Sequence, residues 1–425
     1  MRSKIIEFIS FLLIILLFIL MSLSSIRITY GTFSLDSYSN HLIFLGVLSL
    51  ITYIISKIKN FKFNKYEIIV FILMILSSLS LINAISIDEA LFGRYGRYEG
   101  LFVILSYYIY ILIGMNIKNK KYLKIIISFI ILIGLINVFY GLLQVDIIKN
   151  FFLVKNKWIY ARGFLGNSMF YGTLMSICYP LVLGTFLKTD NIINKIISYI
   201  LVLIFSLGVV ISGNMSSYVA VIFTFLLILF DSLKYLIKKN KDGLYQVLLF
   251  IFSIISFVTI LLFITFFNDT LKSDLLEFKN ETTSISQGEV KEDFGTGRIY
   301  IWKNTILKIK ENPYGIGIDN FYNAFYPPLI DSRSGFPVDK AHNDYLQKML
   351  CEGIIPGTLF IILLLIIFFK NLFKHKNNLN YGLFLAFTSY SIQAFFNISM
   401  TRVAPIYFII MGLLISQEKD KIYEN

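Results

Sequence analysis

The strongest constraint on the fold is a series of twelve apolar stretches, each close to the length that crosses a lipid bilayer as a helix. A spanning helix needs about 20 mostly apolar residues to cross about 30 Å of hydrocarbon. The windows lie near residues 5–25, 41–57, 66–86, 99–117, 123–144, 168–187, 196–213, 215–233, 244–267, 350–369, 380–398 and 402–417. With 56% hydrophobic and 15% charged residues, the composition excludes an ordinary soluble domain. The sequence therefore predicts an all-α polytopic transmembrane helix bundle of about 12 spans.

These stretches divide the chain into three parts. Residues 1–267 are expected to form an N-terminal bundle of about nine spans, residues 268–341 a large outward-facing loop with short amphipathic helices, and residues 342–425 three further spans with a cytoplasmic tail. The first window is long and is not followed by a small-residue cleavage site, so it is predicted to be a span rather than a signal peptide. Residues 268–296 are charged and rich in Ser and Thr, which predicts a mobile segment.

The distribution of basic residues predicts the orientation of the bundle, because short cytoplasmic connections retain Lys and Arg. With the N-terminus inside, the inner segments carry 21 basic residues and the short outer loops carry eight. The net charge of +13 is thus mainly a topology signal, and no nucleic acid partner is expected. The sequence predicts a multi-pass protein of the cytoplasmic membrane whose large loop is extracytoplasmic.

Arginine is used selectively in this chain. There are 31 Lys and only eight Arg, and seven of the eight fall on the predicted outer side: Arg27, Arg94, Arg97, Arg162, Arg298, Arg333 and Arg402. The planar guanidinium can bind phosphate or carboxylate through two parallel hydrogen bonds, which Lys cannot do. Arg27 and Arg333 are equally well explained as anchors at the lipid headgroups. Arg94, Arg97, Arg162 and Arg298 lie among Gly and aromatic residues and are the better candidates for anion binding.

The part of the large loop that begins at Arg298 has a helical pattern. Its apolar positions are Ile299, Trp302, Ile306 and Ile309. Asn312-Pro313 ends the pattern. This predicts an amphipathic helix that lies on the bilayer surface with Trp302 at headgroup depth, or alternatively a lid packed on the bundle. Either placement would hold Arg298 over the outer mouth of the bundle.

The segment Ala341–Gln347 returns the chain to the membrane and carries His342, one of three histidines. A histidine is suited to proton transfer near neutral pH, because its reference pKa is about 6.5. The structural alternative is a histidine that orders the loop through hydrogen bonds. Asn343 and Asp344 are predicted to cap the following helix. Tyr345 is predicted to share the helix face of His342 and to orient its ring.

Several segments resemble a known family. In chain order they are Gly93–Gly100, Arg162–Asn167, Gly297–Trp302, Glu311–Phe321, Ala341–Gln347 and Glu352–Gly357. Their order and spacing resemble the outer motifs and signature region of the O-antigen ligase and polymerase superfamily. One departure concerns the turn after the seventh span, where many ligases have an arginine and this chain reads Ile211–Ser217 without one. A phosphate contact of the ligases is then either missing or supplied by Arg94, Arg97 or Arg162.

The resemblance implies a membrane glycosyltransferase of the GT-C type, which moves a glycan from an undecaprenyl-diphosphate carrier to an acceptor hydroxyl outside the cytoplasm. Its expected partners are that donor, a glycan, lipid or wall-polymer acceptor, and the bilayer. The expected catalytic residues are His342 and Arg298, and the expected substrate-binding residues are Arg94, Arg97, Arg162, Asn343, Tyr345 and Trp302. No metal or other cofactor is expected, since arginines can stabilise a departing diphosphate.

Two alternatives stay open at this point. A ligase and a repeat-unit polymerase use the same donor chemistry and differ only in the acceptor. A lipid-linked glycan flippase or secondary transporter is the alternative from another class, because about twelve spans suit such folds. Transporters usually place ionisable residues at the membrane midplane or show repeated halves. The centres of these predicted spans are nearly free of charge, which favours the transferase.

Overall fold

The structure, a computed structural model, describes residues 2–25, 36–58, 62–145, 159–187, 191–237, 242–330, 335–372 and 378–417. Within these ranges the chain is mainly helical and forms no strand, and an isolated bridge joins Ile330 and Pro337. The predicted all-α fold is therefore confirmed. Arg27 and Arg333, two of the outer arginines, lie outside the described residues.

The described α-helices are α1 Arg2–Ser25, α2 Asp36–Lys57, α3 Lys65–Leu79, α4 Ile87–Phe92, α5 Leu101–Gly114, α6 Lys120–Gln144, α7 Ser168–Phe186, α8 Ile192–Ile211, α9 Met215–Ile237, α10 Asp242–Phe267, α11 Asp269–Ser286, α12 Arg298–Glu311, α13 Asp344–Cys351, α14 Ile354–Leu372, α15 Asn378–Phe395 and α16 Ala404–Gln417. Short 3₁₀ turns lie at Ser80–Asn83, Gly163–Leu165 and Tyr322–Ala324.

Nine helices in the described ranges are long and apolar enough to cross a membrane: α1, α2, α3 with its 3₁₀ continuation, α6, α7, α8, α9, α10 and α14. The chain is thus a multi-pass membrane protein. The three remaining predicted windows are also helical, but α5 and α16 have only 14 residues each and α15 has 18. The predicted count of twelve spans rests on these three helices and stays a prediction.

The centre of the bundle consists of α5, α7, α15 and α16, whose residues are almost all buried. Glycines allow these helices to approach closely. A Cβ atom on Gly184 of α7 would lie 2.6 Å from the Cα of Gly382 in α15, and one on Gly412 of α16 would lie 2.2 Å from the carbonyl oxygen of Ile111 in α5. Small residues are typical of such interfaces, because packing rather than water exclusion holds helices together in lipid.

Most of the segment at residues 268–296, for which mobility is predicted, is helical, because residues 269–286 form α11. The side chain of Asn268 caps this helix by accepting a hydrogen bond from the Leu271 amide at 3.0 Å. Leu271 is buried, and the Asp274 carboxylate accepts a hydrogen bond from the Tyr160 hydroxyl at 2.5 Å. These contacts tie the first turns of α11 to the bundle.

The predicted buried stripe of α12 is partly wrong. The helix buries Ile301, Thr305 and Ile309, whereas Ile306 is 43% exposed. The buried face packs against α13 and a cluster that includes Phe321 and Leu350. α12 is therefore packed on other parts of the protein, as the lid placement predicts, and its position relative to the bilayer surface stays a prediction. The stripe was misplaced because Thr305, although polar, is buried and donates its hydroxyl to the Ile301 carbonyl.

Candidate active site

The loop between α4 and α5 presents two of the candidate arginines. It begins at Gly93, which has a φ of +87°. A Cβ atom at Gly93 would lie 2.2 Å from the Glu99 amide nitrogen, so the loop closes on itself only with glycine here. This tight closure fixes the directions of Arg94 and Arg97.

Arg94 and Arg97 both contact the large loop. The Arg94 amide donates to the Asp319 carboxylate at 2.7 Å, and its guanidinium lies 3.6 Å from the centre of the Tyr322 ring. Arg97 donates to both carboxylate oxygens of Asp339, at 2.6 and 2.9 Å. Arg97 holds the pKa of Asp339 below its usual range, although partial burial acts in the opposite direction. These contacts join two loops that are more than two hundred residues apart in the chain.

A second, fully buried ion pair lies directly behind Arg97. The Lys340 ammonium pairs with the Glu99 carboxylate, which also accepts hydrogen bonds at 2.9 Å from the hydroxyls of Tyr107 and Ser399. The Lys340 ammonium also lies 3.5 Å from a carboxylate oxygen of Asp319. Burial disfavours the charged ammonium, but the two carboxylates outweigh it and raise the pKa of Lys340. The pair therefore stays ionised inside the protein.

A cavity of about 30 Å³ lies among these charges. This exceeds the volume of about 10–15 Å³ that a cavity needs to hold a water molecule. The charged side chains in its wall are Glu99, Asp319, Lys340, Asp344, Lys348 and Glu352. Burial raises the pKa of Asp344 and of Asp319 to about 6, although Lys348 and Lys340 partly oppose this. Two carboxyl groups with raised pKa values in one cleft are typical of sites that handle protons.

His342 lies two residues after Lys340 and two residues before the start of α13. Its φ is +51°, in the left-handed region. α13 begins only at Asp344, with Asn343 as its cap, because the Asn343 side chain accepts from the amides of Tyr345 and Leu346 at 3.0 and 3.1 Å. The predicted capping role of Asn343 is confirmed. The prediction that His342 and Tyr345 share a helix face is wrong, because His342 lies outside the helix. The Tyr345 hydroxyl instead donates to the Ser391 carbonyl at 2.6 Å.

Arg298 is the first residue of α12. Its guanidinium donates to the Gly295 carbonyl at 2.8 Å and to the Thr296 hydroxyl at 2.6 Å. One turn later, the Trp302 ring packs edge-on against Phe395 with centroids 5.4 Å apart, and Tyr345 lies 6.3 Å from the same ring. The first turns of α12 and α13 therefore meet at the end of α15. This brings the segments that carry Arg298 and His342 to the same end of the bundle.

Arg162 lies in a neighbouring loop. The Gln144 side chain accepts from the amides of Arg162 and Gly163 at 2.9 and 2.8 Å, which ties the loop to α6. The guanidinium of Arg402 donates to the Leu165 carbonyl at 2.6 Å. Arg162 and Arg402 thus lie near the end of α6 and the starts of α7 and α16.

The turn after α8, where many ligases carry an arginine, is buried in this chain. Asn214 donates to the Met169 carbonyl at 3.2 Å and accepts from the Ser216 hydroxyl at 2.7 Å. Gln393 of α15 donates to Ser216 at 3.3 Å. This turn is therefore a polar contact between helices.

The sequence reasoning did not select the buried charges as site residues. Lys340, Glu99, Asp319, Lys348 and Glu352 are not among the site residues that the sequence predicts. Two signals were present. Lys340 lies on the predicted outer side, whereas most lysines lie in predicted inner segments. Lys348 and Glu352 have the spacing of a helical ion pair, which they form at 2.6 Å. Their burial could not be read from the chain. Among the described residues, no group of three His, Cys, Asp or Glu side chains is placed to hold a metal ion.

Comparison with known proteins shows a similarity to one family over part of the chain. No curated protein matches the chain. The family model described as O-antigen ligase matches residues 200–362, a range that runs from within α8 through the large loop into α14. It includes Arg298, Asp319, Lys340 and His342, whereas the Gly93–Gly100 loop lies before it. Over residues 200–362 the chain is thus similar to the O-antigen ligase family, in agreement with the resemblance of its motifs to the O-antigen ligase and polymerase superfamily.

Proposed function

We propose that this protein is a glycosyltransferase of the cytoplasmic membrane that transfers a glycan from undecaprenyl diphosphate to an acceptor hydroxyl on the outer face. The similarity to the O-antigen ligase family supports a reaction of this type. The proposal rests mainly on one observation. The loop of residues 93–100, called the arginine loop here, is joined to the residues just before His342 by two ion pairs, Arg97 with Asp339 and Lys340 with Glu99. Arginines that could bind a diphosphate and a histidine that could accept a proton from a hydroxyl thereby lie at the same end of the bundle.

The cations act on the leaving group. As the bond between the anomeric carbon and the diphosphate oxygen breaks, negative charge grows on the diphosphate. Positive groups held in place before the reaction stabilise that charge strongly, because they need not reorganise. Arg298, whose side chain is held at Gly295 and Thr296, is the proposed main contact, and Arg94, held against Tyr322, is the second. Arg97 supports them indirectly, because its two hydrogen bonds to Asp339 hold the loop that carries Arg94 against the large loop.

His342 acts on the acceptor. Its imidazole takes the proton from the acceptor hydroxyl while the hydroxyl oxygen bonds to the anomeric carbon, and undecaprenyl diphosphate leaves. A left-handed backbone at a residue with a Cβ atom costs about 1–2 kcal/mol. Such strain is concentrated at functional sites, where the surrounding structure holds it. Lys340 and Asn343, on either side of His342, are fixed by the ion pair with Glu99 and by the helix cap.

The test is transfer in vitro by purified His342→Ala, with lipid-linked donor, acceptor and chelator present, at several pH values. Loss of a general base typically lowers the rate about 10²–10⁴-fold without unfolding the protein. We expect this loss with nearly unchanged donor binding and no rescue by added divalent cations. The control is His41→Ala in α2, which should keep wild-type activity. Robust transfer by His342→Ala would return His342 to a structural role.

The acceptor decides between a ligase and a polymerase, and a deletion strain distinguishes them. Single repeat units accumulating on the carrier lipid would indicate a lost polymerase, and full-length polymer stranded on the carrier would indicate a lost ligase. The transporter alternative is tested by the same purified protein. Turnover in detergent, where no ion gradient exists, is expected of a transferase and not of a secondary transporter.

A further inference from the structure

A large pocket opens at the end of the bundle opposite to His342. Its volume is about 730 Å³. This lies within the range of about 300–1,000 Å³ that small-molecule sites occupy. Four helices contribute to its wall near the ends that share one membrane surface: the start of α6, the end of α7, and the starts of α8 and α15. The residues are Lys120, Lys124, Ile127, Ser128, Ile131, Thr185, Phe186, Asn194, Asn378 and Leu379.

The wall contributed by α6 changes from basic to apolar along the helix. Lys120, Lys124, Ile127 and Ile131 follow one another at intervals of four, three and four residues, so they lie on one face. Both lysines are exposed at the helix start, whereas the two isoleucines are buried one to three turns further into the span. The pocket thus has a cationic mouth and an apolar floor, ordered along the direction of the membrane normal.

The other helices complete the polar mouth. Asn194 lies at the start of α8 and Asn378 at the start of α15. Amide side chains can donate hydrogen bonds to phosphate and ester oxygens. Phe186 and Leu379 add apolar surface beside them. The distribution of basic residues predicts that this end of the bundle faces the cytoplasm.

We propose that this pocket binds an anionic phospholipid of the inner leaflet, with its phosphate between Lys120 and Lys124 and one acyl chain along Ile127 and Ile131. Basic pockets between transmembrane helices on the cytoplasmic side recognise anionic headgroups. A soluble anion would not use the apolar floor, and a zwitterionic lipid would gain less from the paired lysines. The site is independent of the proposed transfer reaction, because it lies at the other end of the helices.

Native mass spectrometry of delipidated protein titrated with phosphatidylglycerol tests this proposal. The variant is Lys120→Ser/Lys124→Ser. The matched control is Lys118→Ser/Lys121→Ser, which removes the same charge from exposed positions at the same end of α6 that do not line the pocket. We expect the pocket variant to bind phosphatidylglycerol at least tenfold more weakly and the control to stay within about twofold of wild type.

A third variant tests the pocket without changing charge. Ser128→Phe places a large ring in the wall at an exposed position and should also displace the lipid. Thermal unfolding in detergent identifies variants that fail to fold. Equal losses in the two double-lysine variants would overturn the proposal, because they would indicate general attraction to the basic surface. Equal binding of phosphatidylcholine, or displacement of the lipid by inorganic phosphate alone, would also overturn it.

Discussion

The Lys340 ammonium and the Glu99 carboxylate form a buried ion pair between residues that are 241 positions apart in the chain. Each side chain is only 4% exposed. The pair fastens the last residues of the large loop to the start of α5, two residues before His342. The pair fixes the position of the large loop, because this loop cannot shift relative to the arginine loop without separating two buried charges.

Breaking this pair from one side should be costly. Lys340→Met leaves the Glu99 carboxylate buried without its cation, and removing one partner of a buried pair typically costs about 3–5 kcal/mol. The double variant Glu99→Gln/Lys340→Met removes both charges and should recover much of that loss. Unfolding of the detergent-purified proteins by heat or denaturant measures the cycle. A single variant as stable as wild type would contradict the assignment of this pair as the fastening contact.

The pair formed by Arg97 and Asp339 predicts a shared effect on activity. Arg97→Lys keeps the charge but loses the two parallel hydrogen bonds, and Asp339→Asn loses the charge that receives them. Because both changes disrupt one contact, each should lower the transfer rate to a similar extent, and the double variant should be little worse than either single one. Steady-state rates at matched expression test this. An Asp339→Asn enzyme with normal activity beside an impaired Arg97→Lys enzyme would instead indicate direct substrate binding by Arg97.

Arg298 is expected to require its guanidinium. Arg298→Lys retains the positive charge but cannot bind a diphosphate in two places, so the rate of transfer should fall at least about tenfold, the equivalent of about 1.4 kcal/mol in the barrier. Lys310→Arg, at an exposed position near the other end of α12, serves as the control and should be neutral. Wild-type activity in Arg298→Lys would exclude the bidentate role.

Thr296→Val separates the chemical role of Arg298 from a positional one. It removes the hydroxyl that receives the guanidinium at 2.6 Å and leaves the arginine itself in place. A loss as large as that of Arg298→Lys would show that holding the turn at Gly295 and Thr296 accounts for the effect. A clearly smaller loss is the expected result.

The helices were largely predictable because a bilayer imposes a length, and every apolar window contains a helix. The segments around Arg298 and His342 were found because short motifs mark them. The partners of the charges were not predictable, since nothing in the chain says that Arg97 meets Asp339 or that Lys340 is buried. The spacing of apolar residues also does not fix which face of a helix is buried when a polar residue such as Thr305 is buried. For this reason the buried face of α12 was predicted incorrectly. Local patterns report burial on average and do not report which loops meet.

Asp344 predicts a pH-dependent stability. Burial raises its pKa to about 6 from an ordinary value of 3.8, with Lys348 and Lys340 opposing the rise and Glu99 and Glu352 adding to it. The folded protein therefore retains this proton at pH values where the unfolded chain has lost it. Below about pH 4, Asp344 therefore does not lower the free energy of unfolding. Between about pH 4 and 6 it lowers the free energy of unfolding progressively, and above pH 6 this destabilisation stays constant. At about 1.4 kcal/mol per pKa unit, the cost at pH 7 is up to about 3 kcal/mol.

Asp344→Asn should remove this cost, because the amide stays neutral and Asn343 still caps α13. A carboxylate in the first turn of a helix is favoured by about 0.3–1 kcal/mol, which reduces the expected gain at pH 7 to about 2 kcal/mol. Thermal unfolding of both proteins in detergent from pH 4 to pH 8 measures the difference, and pH 4 is the internal control because both side chains are largely neutral there. The variant should become more stable than wild type as the pH rises through 6. A variant that instead loses stability over this range would show that Lys348 and Lys340 hold Asp344 ionised and that the carboxylate stabilises the fold.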